Sequence, residues 1–143
     1  MIPTSTKSLK LVAAGLVMLA LFRALPAFAT TIIVNTELDE TISGDGLCSL
    51  REAINNANGK TDTTGGDCNS GTGNDTIAIL LLGKEIDLGS SLPTIENTLT
   101  IVGSGVTGIS GFGSSNRIFS IAASATVTLN DLIGTAVSFG AEL

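Results

Sequence analysis

One segment carries most of the structural information in this chain: Cys48-Ser49-Leu50-Arg51-Glu52-Ala53-Ile54-Asn55-Asn56-Ala57-Asn58-Gly59. Ser49 and Glu52 have the spacing of a capping box, in which each side chain accepts a hydrogen bond from the other residue's backbone N–H. Four apolar residues recur at helical spacing and would form one face, namely Leu50, Ala53, Ile54 and Ala57. Gly59 is expected to end the helix in the left-handed conformation. The segment therefore predicts a short amphipathic helix over residues 49–58 whose apolar face covers a core.

The N-terminus has the pattern of a secretory signal peptide. Lys7 and Lys10 precede an apolar stretch over residues 11–25, and Ala27-Phe28-Ala29 supplies the Ala-x-Ala cleavage pattern. A membrane anchor is the alternative, but the apolar run ends at Arg23 and is shorter than the roughly 20 residues that span a bilayer. We predict a cleaved signal peptide at residues 1–29, and a secreted or cell-surface protein with no membrane insertion after cleavage.

The remaining 114 residues suit one small domain and carry 4 basic and 13 acidic side chains, for a net charge of −9. This charge disfavours nucleic acids and anionic membrane surfaces as partners. The sequence contains no His, Trp or Tyr, which excludes histidine-based catalysis and imidazole metal ligands.

Cys48 and Cys68 are the only cysteines of the chain. In an exported protein an even pair is expected to form a structural disulfide, worth about 3 kcal/mol for a loop of this length. Two reduced thiols are the alternative. Zinc binding or catalysis is disfavoured, because nothing nearby could complete a ligand set.

The composition and apolar pattern of the sequence change near residue 74. Residues 30–73 predict an N-terminal cap made of a strand at 31–35, the helix and a disulfide loop. Residues 74–133 contain strand-length segments rich in β-branched and aliphatic residues, at 76–82, 85–88, 99–102, 106–109, 118–121 and 127–133.

Apolar positions in this second region recur at long and similar intervals. Separations of roughly 20 to 30 residues join three pairs: Ile79 and Ile101, Ile86 and Ile109, and Ile101 and Leu129. Such spacing is typical of a solenoid with one coil per repeat. We predict a mainly β fold, a short parallel β-helix of about three coils, although periodicity alone leaves an antiparallel sandwich open.

The heptapeptide Cys48-Ser49-Leu50-Arg51-Glu52-Ala53-Ile54 resembles the signature of the CSLREA domain. The similarity continues through Asn58, Cys68 and residues 73–77, 92–95 and 99–103, to about Leu132. This family is found at the N-terminus of exported, right-handed parallel β-helix surface proteins, some with repeats like those of polymorphic outer-membrane proteins. The resemblance implies a structural or surface role and supplies no catalytic residues.

The resemblance also implies a structural role for the helix. The first coil of a β-helix has an open end, with unpaired backbone groups and an uncovered core. We expect the apolar helix face, pinned by a Cys48–Cys68 bridge, to plug that end. Glu52 would serve the capping box, and Arg51 would donate to loop carbonyls or to an acidic partner such as Asp45.

Two segments resemble calcium-binding motifs in part. Residues 71–77 resemble part of a calcium-binding nonapeptide and make Asp75 a candidate ligand, although Ser70 stands where the first Gly belongs and only one copy is present. The alternative is a glycine-rich turn that leads into a strand. Residues 39–44 fail as an EF-hand loop, because the twelfth position is Leu50 in place of a bidentate Glu.

Three classes of function follow from these observations. We expect a non-enzymatic capping and structural module of a surface β-helix, interacting with surface glycans or other cell-surface proteins. The alternatives are a fragment of a β-helix polysaccharide lyase or hydrolase, and a calcium-dependent binding module. An acidic cluster on one face would favour the enzyme, whereas a ladder of Thr, Ser or Asn would favour binding. Residues 134–143 do not continue the pattern of apolar strand-length segments, which predicts an irregular C-terminal tail. We also expect the chain to be truncated, in which case its partners would be β-helix coils further downstream.

Overall fold

The computed structural model describes residues 28–111, 117–134 and 139–141. Except for Phe28 and Ala29, the predicted signal peptide lies outside these residues. The described chain is mainly β with one helix. Its elements in chain order are β1 (Thr31–Val34), α1 (Leu50–Gly59), β2 (Asn74–Ile79), β3 (Glu85–Leu88), β4 (Thr98–Gly111), β5 (Phe119–Ile121), β6 (Val127–Gly134) and β7 (Phe139–Ala141).

Every strand pair among the described residues is parallel. The main sheet runs in the order β1-β2-β4-β3, with β6 paired to β4, and it is curled. The parallel pairing excludes the antiparallel sandwich that the spacing alone left open.

In the main sheet, each paired residue lies beside a residue that is about one repeat later in the sequence. Ile86 pairs with Ile109, and Ile101 pairs with Leu129, as the spacing predicts. The third spacing, between Ile79 and Ile101, does not correspond to a strand pair, because Ile77 and not Ile79 lies beside Ile101. Both isoleucines point to the same face, so the apolar pattern cannot distinguish the two registers.

Strand β4 contains two of the predicted segments, 99–102 and 106–109, joined without a break. Its register against β6 shifts between Val102 and Thr107, where Gly105 has a φ of 75° and Asp131 on β6 has a φ of 53°. The shift bends β4, so that its first half pairs with β2 and its second half with β3. One long strand therefore belongs to two faces of the curled sheet.

The tail at residues 134–143 is not wholly irregular, contrary to the sequence prediction. Residues 139–141 form β7, which pairs in parallel with β5. Strand β5 offers backbone donors and acceptors along its edge, and pairing them stabilises even a short strand.

Alternate strand residues fill a continuous aliphatic core. Ile32 and Val34 of β1, Ile77 of β2 and Ile101 of β4 are fully buried. The four apolar residues of the predicted helix face are at most 2% exposed, and α1 contacts β1 and β2. The apolar face of the helix is therefore buried and covers a core, as the sequence predicts, and the helix packs on β1 and β2. No helix in the described parts of the chain has the length and apolar character needed to cross a membrane.

Candidate functional site

The N-terminus of α1 is closed by the predicted capping box. The Ser49 N–H donates to Glu52 Oε2 at 3.0 Å, and the Glu52 N–H donates to Ser49 Oγ at 3.2 Å. Ser49 Oγ also donates to the Glu40 carbonyl at 2.8 Å. Both capping side chains are buried, so these bonds satisfy helix donors that no water reaches.

The C-terminus of α1 differs from the prediction. The helix includes Gly59, and Lys60 is the residue in the left-handed conformation, with φ 53° and ψ 37°. Its N–H donates to the Asn56 carbonyl, which satisfies one of the last helix acceptors. Gly71 lies against this turn, where a Cβ would overlap the Asn56 carbonyl. The sequence predicted the position of the cap closely but named the wrong residue.

Cys48 and Cys68 are joined by a disulfide, as predicted. Both are almost completely buried. The bridge is tied to β1 by a reciprocal pair of hydrogen bonds: the Cys48 N–H donates to Asn35 Oδ1 at 2.7 Å, and the Asn35 N–H donates to the Cys48 carbonyl at 3.1 Å. The bridge therefore fixes α1 and the following loop to the end of the first strand.

Arg51 connects three segments of the chain. Its Nε and Nη2 donate to the two carboxylate oxygens of Asp39 at 2.7 and 2.8 Å. Its Nη1 and Nη2 also donate to the carbonyls of Ser91 and Ser90 at 2.9 and 3.0 Å. The prediction of loop carbonyls is confirmed. The suggested acidic partner, Asp45, is wrong, because Asp45 accepts the N–H of Leu47 within its own turn.

The Arg51–Asp39 pair is well shielded, with side-chain exposures of 14% and 9%. Burial by itself raises the pKa of Asp39. The hydrogen bonds from Arg51 and the Gly89 N–H, together with the positive charge of Arg51, outweigh burial and hold that pKa below its ordinary value. Asp39 is therefore a fixed anion that links the loop after β1 to the loop after β3.

Asparagine side chains make further connections that the sequence analysis missed. Asn58 Nδ2 donates to the Thr94 carbonyl at 2.8 Å, while its Oδ1 accepts the Glu96 N–H at 3.0 Å. Asn97 Nδ2 donates to the carbonyls of Ala57 and Asn58 at the end of the helix. These bonds join the C-terminal turn of α1 to the segment between β3 and β4.

Asn56 holds the disulfide loop. It is fully buried, its Oδ1 accepts from the N–H and hydroxyl of Thr63, and its Nδ2 donates to the carbonyls of Cys68 and Asn69. Asparagine is a weak helix former that competes for backbone groups. Its appearance inside an otherwise good helix at 56 and 58 was the available signal for a tertiary role.

An acidic loop lies beside the capping box. The Asp67 carboxylate accepts the N–H groups of Gly44, Asp45 and Gly46 and so organises this loop. One carboxylate oxygen of Glu40, Oε1, is buried without a hydrogen-bond partner. Burial first, and then the negative charges of Asp45, Glu52 and Asp67, raise the pKa of Glu40. The surroundings of Glu40 therefore disfavour its ionised form.

The carboxylate of Asp75, the candidate calcium ligand, is occupied by hydrogen bonds within a turn. Its carboxylate accepts the N–H groups of Thr30, Thr72 and Gly73 and the hydroxyl of Thr72. The described residues contain no group of three or more acidic or cysteine side chains placed to hold a metal ion. The geometry of Asp75 is that of a glycine-rich turn that leads into β2, which is the alternative interpretation.

Taken together, the polar side chains of α1 bind backbone groups of loops that are far apart in sequence, while its apolar face is buried on β1 and β2. This arrangement holds chain segments that are distant in sequence in place. Comparison with models of protein families, with curated proteins and with solved structures found no match.

Proposed function

We propose that this protein is the capped N-terminal part of a right-handed parallel β-helix, exported to the cell surface or secreted, with a structural and non-enzymatic role. The observation that carries the proposal is the position of α1. Its apolar face lies on the first strands, and its polar side chains hold the loops that follow β1 and β3.

The β-helix is supported by the strand register. Ile77, Ile101 and Leu129 form one row of parallel partners. Ile86 and Ile109 form a second row, and Ile95 and Ile121 form a third. Within each row, successive members are separated by roughly 20 to 30 residues, a period typical of one solenoid coil. Three parallel rows with this common period are what a chain winding through three-sided coils would produce.

The capping role is supported by the bonds at the outer edge of β1. Asn69 Nδ2 donates to the Thr31 carbonyl at 2.8 Å, and the Asn35 N–H reaches the Cys48 carbonyl. Both groups lie on the edge away from β2, where they would otherwise be open to another chain. The β6 side of the stack is then where further coils would add.

Export is supported by the signal-peptide pattern and by the disulfide, a bond that persists in oxidising compartments. The test is to express the full chain with its own N-terminus in a bacterial host and measure the mass of the product in each compartment. We expect a periplasmic product that begins at Thr30 and is two hydrogen atoms lighter than the reduced chain. A full-length product in the membrane or cytoplasm would contradict export.

The capping role is tested by releasing the helix from the core. Ile54 is fully buried on the apolar face, whereas the neighbouring Asn55 is partly exposed. We expect Ile54→Glu to uncover the β1 end and to produce concentration-dependent association in size-exclusion chromatography with light scattering. Asn55→Glu is the matched control and should behave as the unmodified chain. Equal behaviour of the two variants, both monomeric with unchanged far-UV circular dichroism, would contradict the cap.

A further inference from the structure

The outward face of the main sheet carries a ladder of threonines. Thr31, Thr76, Thr100 and Thr128 are direct partners across β1, β2, β4 and β6. Thr98 and Thr126 lie two positions before Thr100 and Thr128 and add a second row, which Asn74 continues as the partner of Thr98. All of these side chains are exposed or partly exposed.

The ladder has two properties that β-propensity alone does not require. Where these four strands pair side by side, as far as Val102 on β4 and Asn130 on β6, no outward position is charged, although the chain is strongly acidic. The side-chain hydroxyls of the four ladder threonines also form no hydrogen bond with other described residues, so they are free to bind a partner. The third row of the face, formed by Ile33, Ala78, Val102 and Asn130, is uncharged as well.

The geometry points to ice as the partner of this threonine face. Hydrogen-bonded water oxygens are about 2.75 Å apart, which at tetrahedral angles places second neighbours about 4.5 Å apart. Neighbouring strands are about 4.8 Å apart. Over the three intervals between four strands the mismatch accumulates to about 1 Å, well under one hydrogen-bond length.

Threonine suits this partner chemically. Its hydroxyl donates and accepts hydrogen bonds, so it can replace a water molecule at the lattice surface. Its methyl group restricts the orientation of the adjacent water, which favours an ordered first layer. A charged side chain would hold a tight liquid hydration shell instead. Because the chain as a whole is strongly acidic, ice contact would be directed to this uncharged face.

Two other occupants fit the observations less well. A second copy of the chain would bury about 300 Å² on this face, estimated from strand spacing and rise, whereas a stable interface buries about 800 Å² per partner. A polysaccharide would find hydroxyl groups but no aromatic side chain among the outward positions on which a sugar ring could stack. The inference depends on the register of the sheet and not on the capping role of α1.

The test is an ice recrystallisation assay with the exported, oxidised chain, in which crystal growth is followed at constant temperature below the melting point. The face variant is Thr100→Lys combined with Thr128→Lys. The matched control is Thr41→Lys combined with Thr94→Lys, two exposed threonines outside the ladder. We expect the unmodified chain and the control to inhibit growth, and the face variant to need at least about tenfold more protein, which corresponds to about 1.4 kcal/mol.

Folding of each variant is checked by cooperative thermal unfolding and by the intact Cys48–Cys68 bridge. If the lysine variant does not fold, Thr100→Ser with Thr128→Ser removes the two methyl groups and should weaken inhibition in the same direction. Absence of inhibition by the unmodified chain, or equal loss in the control, would overturn the inference. Binding to microcrystalline cellulose or chitin without any effect on ice would also overturn it, in favour of a polysaccharide. None of these outcomes depends on whether Ile54→Glu releases the cap.

Discussion

Arg51→Met provides the sharpest test of the energetics of the cap. The substitution keeps most of the aliphatic length of the side chain but removes both hydrogen bonds to Asp39 and those to the carbonyls of Ser90 and Ser91. Breaking a buried ion pair by removing one partner costs about 3 to 5 kcal/mol. Because Arg51 is 14% exposed and the two carbonyls can be hydrated, we expect a loss at the lower end, about 3 kcal/mol.

The assay is thermal and urea unfolding of the oxidised chain, followed by circular dichroism. For a domain of this size, about 3 kcal/mol corresponds to a fall in melting temperature of roughly 12 °C. The control is Lys84→Met, which removes an ion pair with Glu37 whose side chains are 57% and 42% exposed. Exposed pairs contribute about 0 to 1 kcal/mol, so this variant should lose only a few degrees.

The effect of Arg51→Met should also depend on pH. The pKa of Asp39 is lower in the folded protein than its ordinary value of 3.8. Its contribution is therefore present above the unfolded pKa and is lost as the pH falls through the folded pKa. The difference between Arg51→Met and the unmodified chain should shrink in that acidic range. A loss no larger than that of Lys84→Met at neutral pH would refute the claim that Arg51 holds the cap.

Three further predictions concern neighbouring groups. Replacing both Cys48 and Cys68 by Ala should lower the free energy of unfolding by about 3 kcal/mol, from the entropy of the loop they close over a separation of 20 residues; an unchanged urea midpoint would show that the bridge adds nothing. Asn56→Ala should cost about 2 kcal/mol because it leaves buried backbone groups unpaired, whereas Asn55→Ala should be neutral or slightly stabilising; similar unfolding midpoints for the two would contradict the contacts of Asn56. Glu40→Gln should stabilise the chain at neutral pH. The pKa of Glu40 is raised in the folded protein, so its ionised form destabilises the fold as the pH rises above the unfolded pKa. The difference between the variant and the unmodified chain should vanish in acid, and a less stable variant at neutral pH would contradict this prediction.

Local features were predictable because short-range rules fix them. The capping box depends on residues three apart, and the helix face depends on the 3.6-residue period. Both are present in the structure, close to the predicted bounds. The strand positions followed in the same way from short β-branched runs between glycine-rich turns.

Contacts between distant segments were harder to predict. Arg51 was expected to bind an acidic loop residue, but the choice of Asp39 over Asp45 depends on how the loop after β1 folds around Asp67. The register of Ile101 was missed for a different reason: moving a strand by two positions keeps every side chain on its face, so only the loop lengths distinguish Ile77 from Ile79. Sequence patterns identify which residues face inward but not which of them become neighbours.

The most direct test of the account is hydrogen exchange measured by mass spectrometry on the exported, oxidised chain. If α1 caps the β1 end of the stack, the amides of β1 and α1 should exchange together, at the slow rate of β2 and β4, and all four should lose protection together in Arg51→Met. Fast exchange in α1 and β1 beside a protected β2 and β4 in the unmodified chain would show that the helix does not seal the sheet, and would contradict the cap.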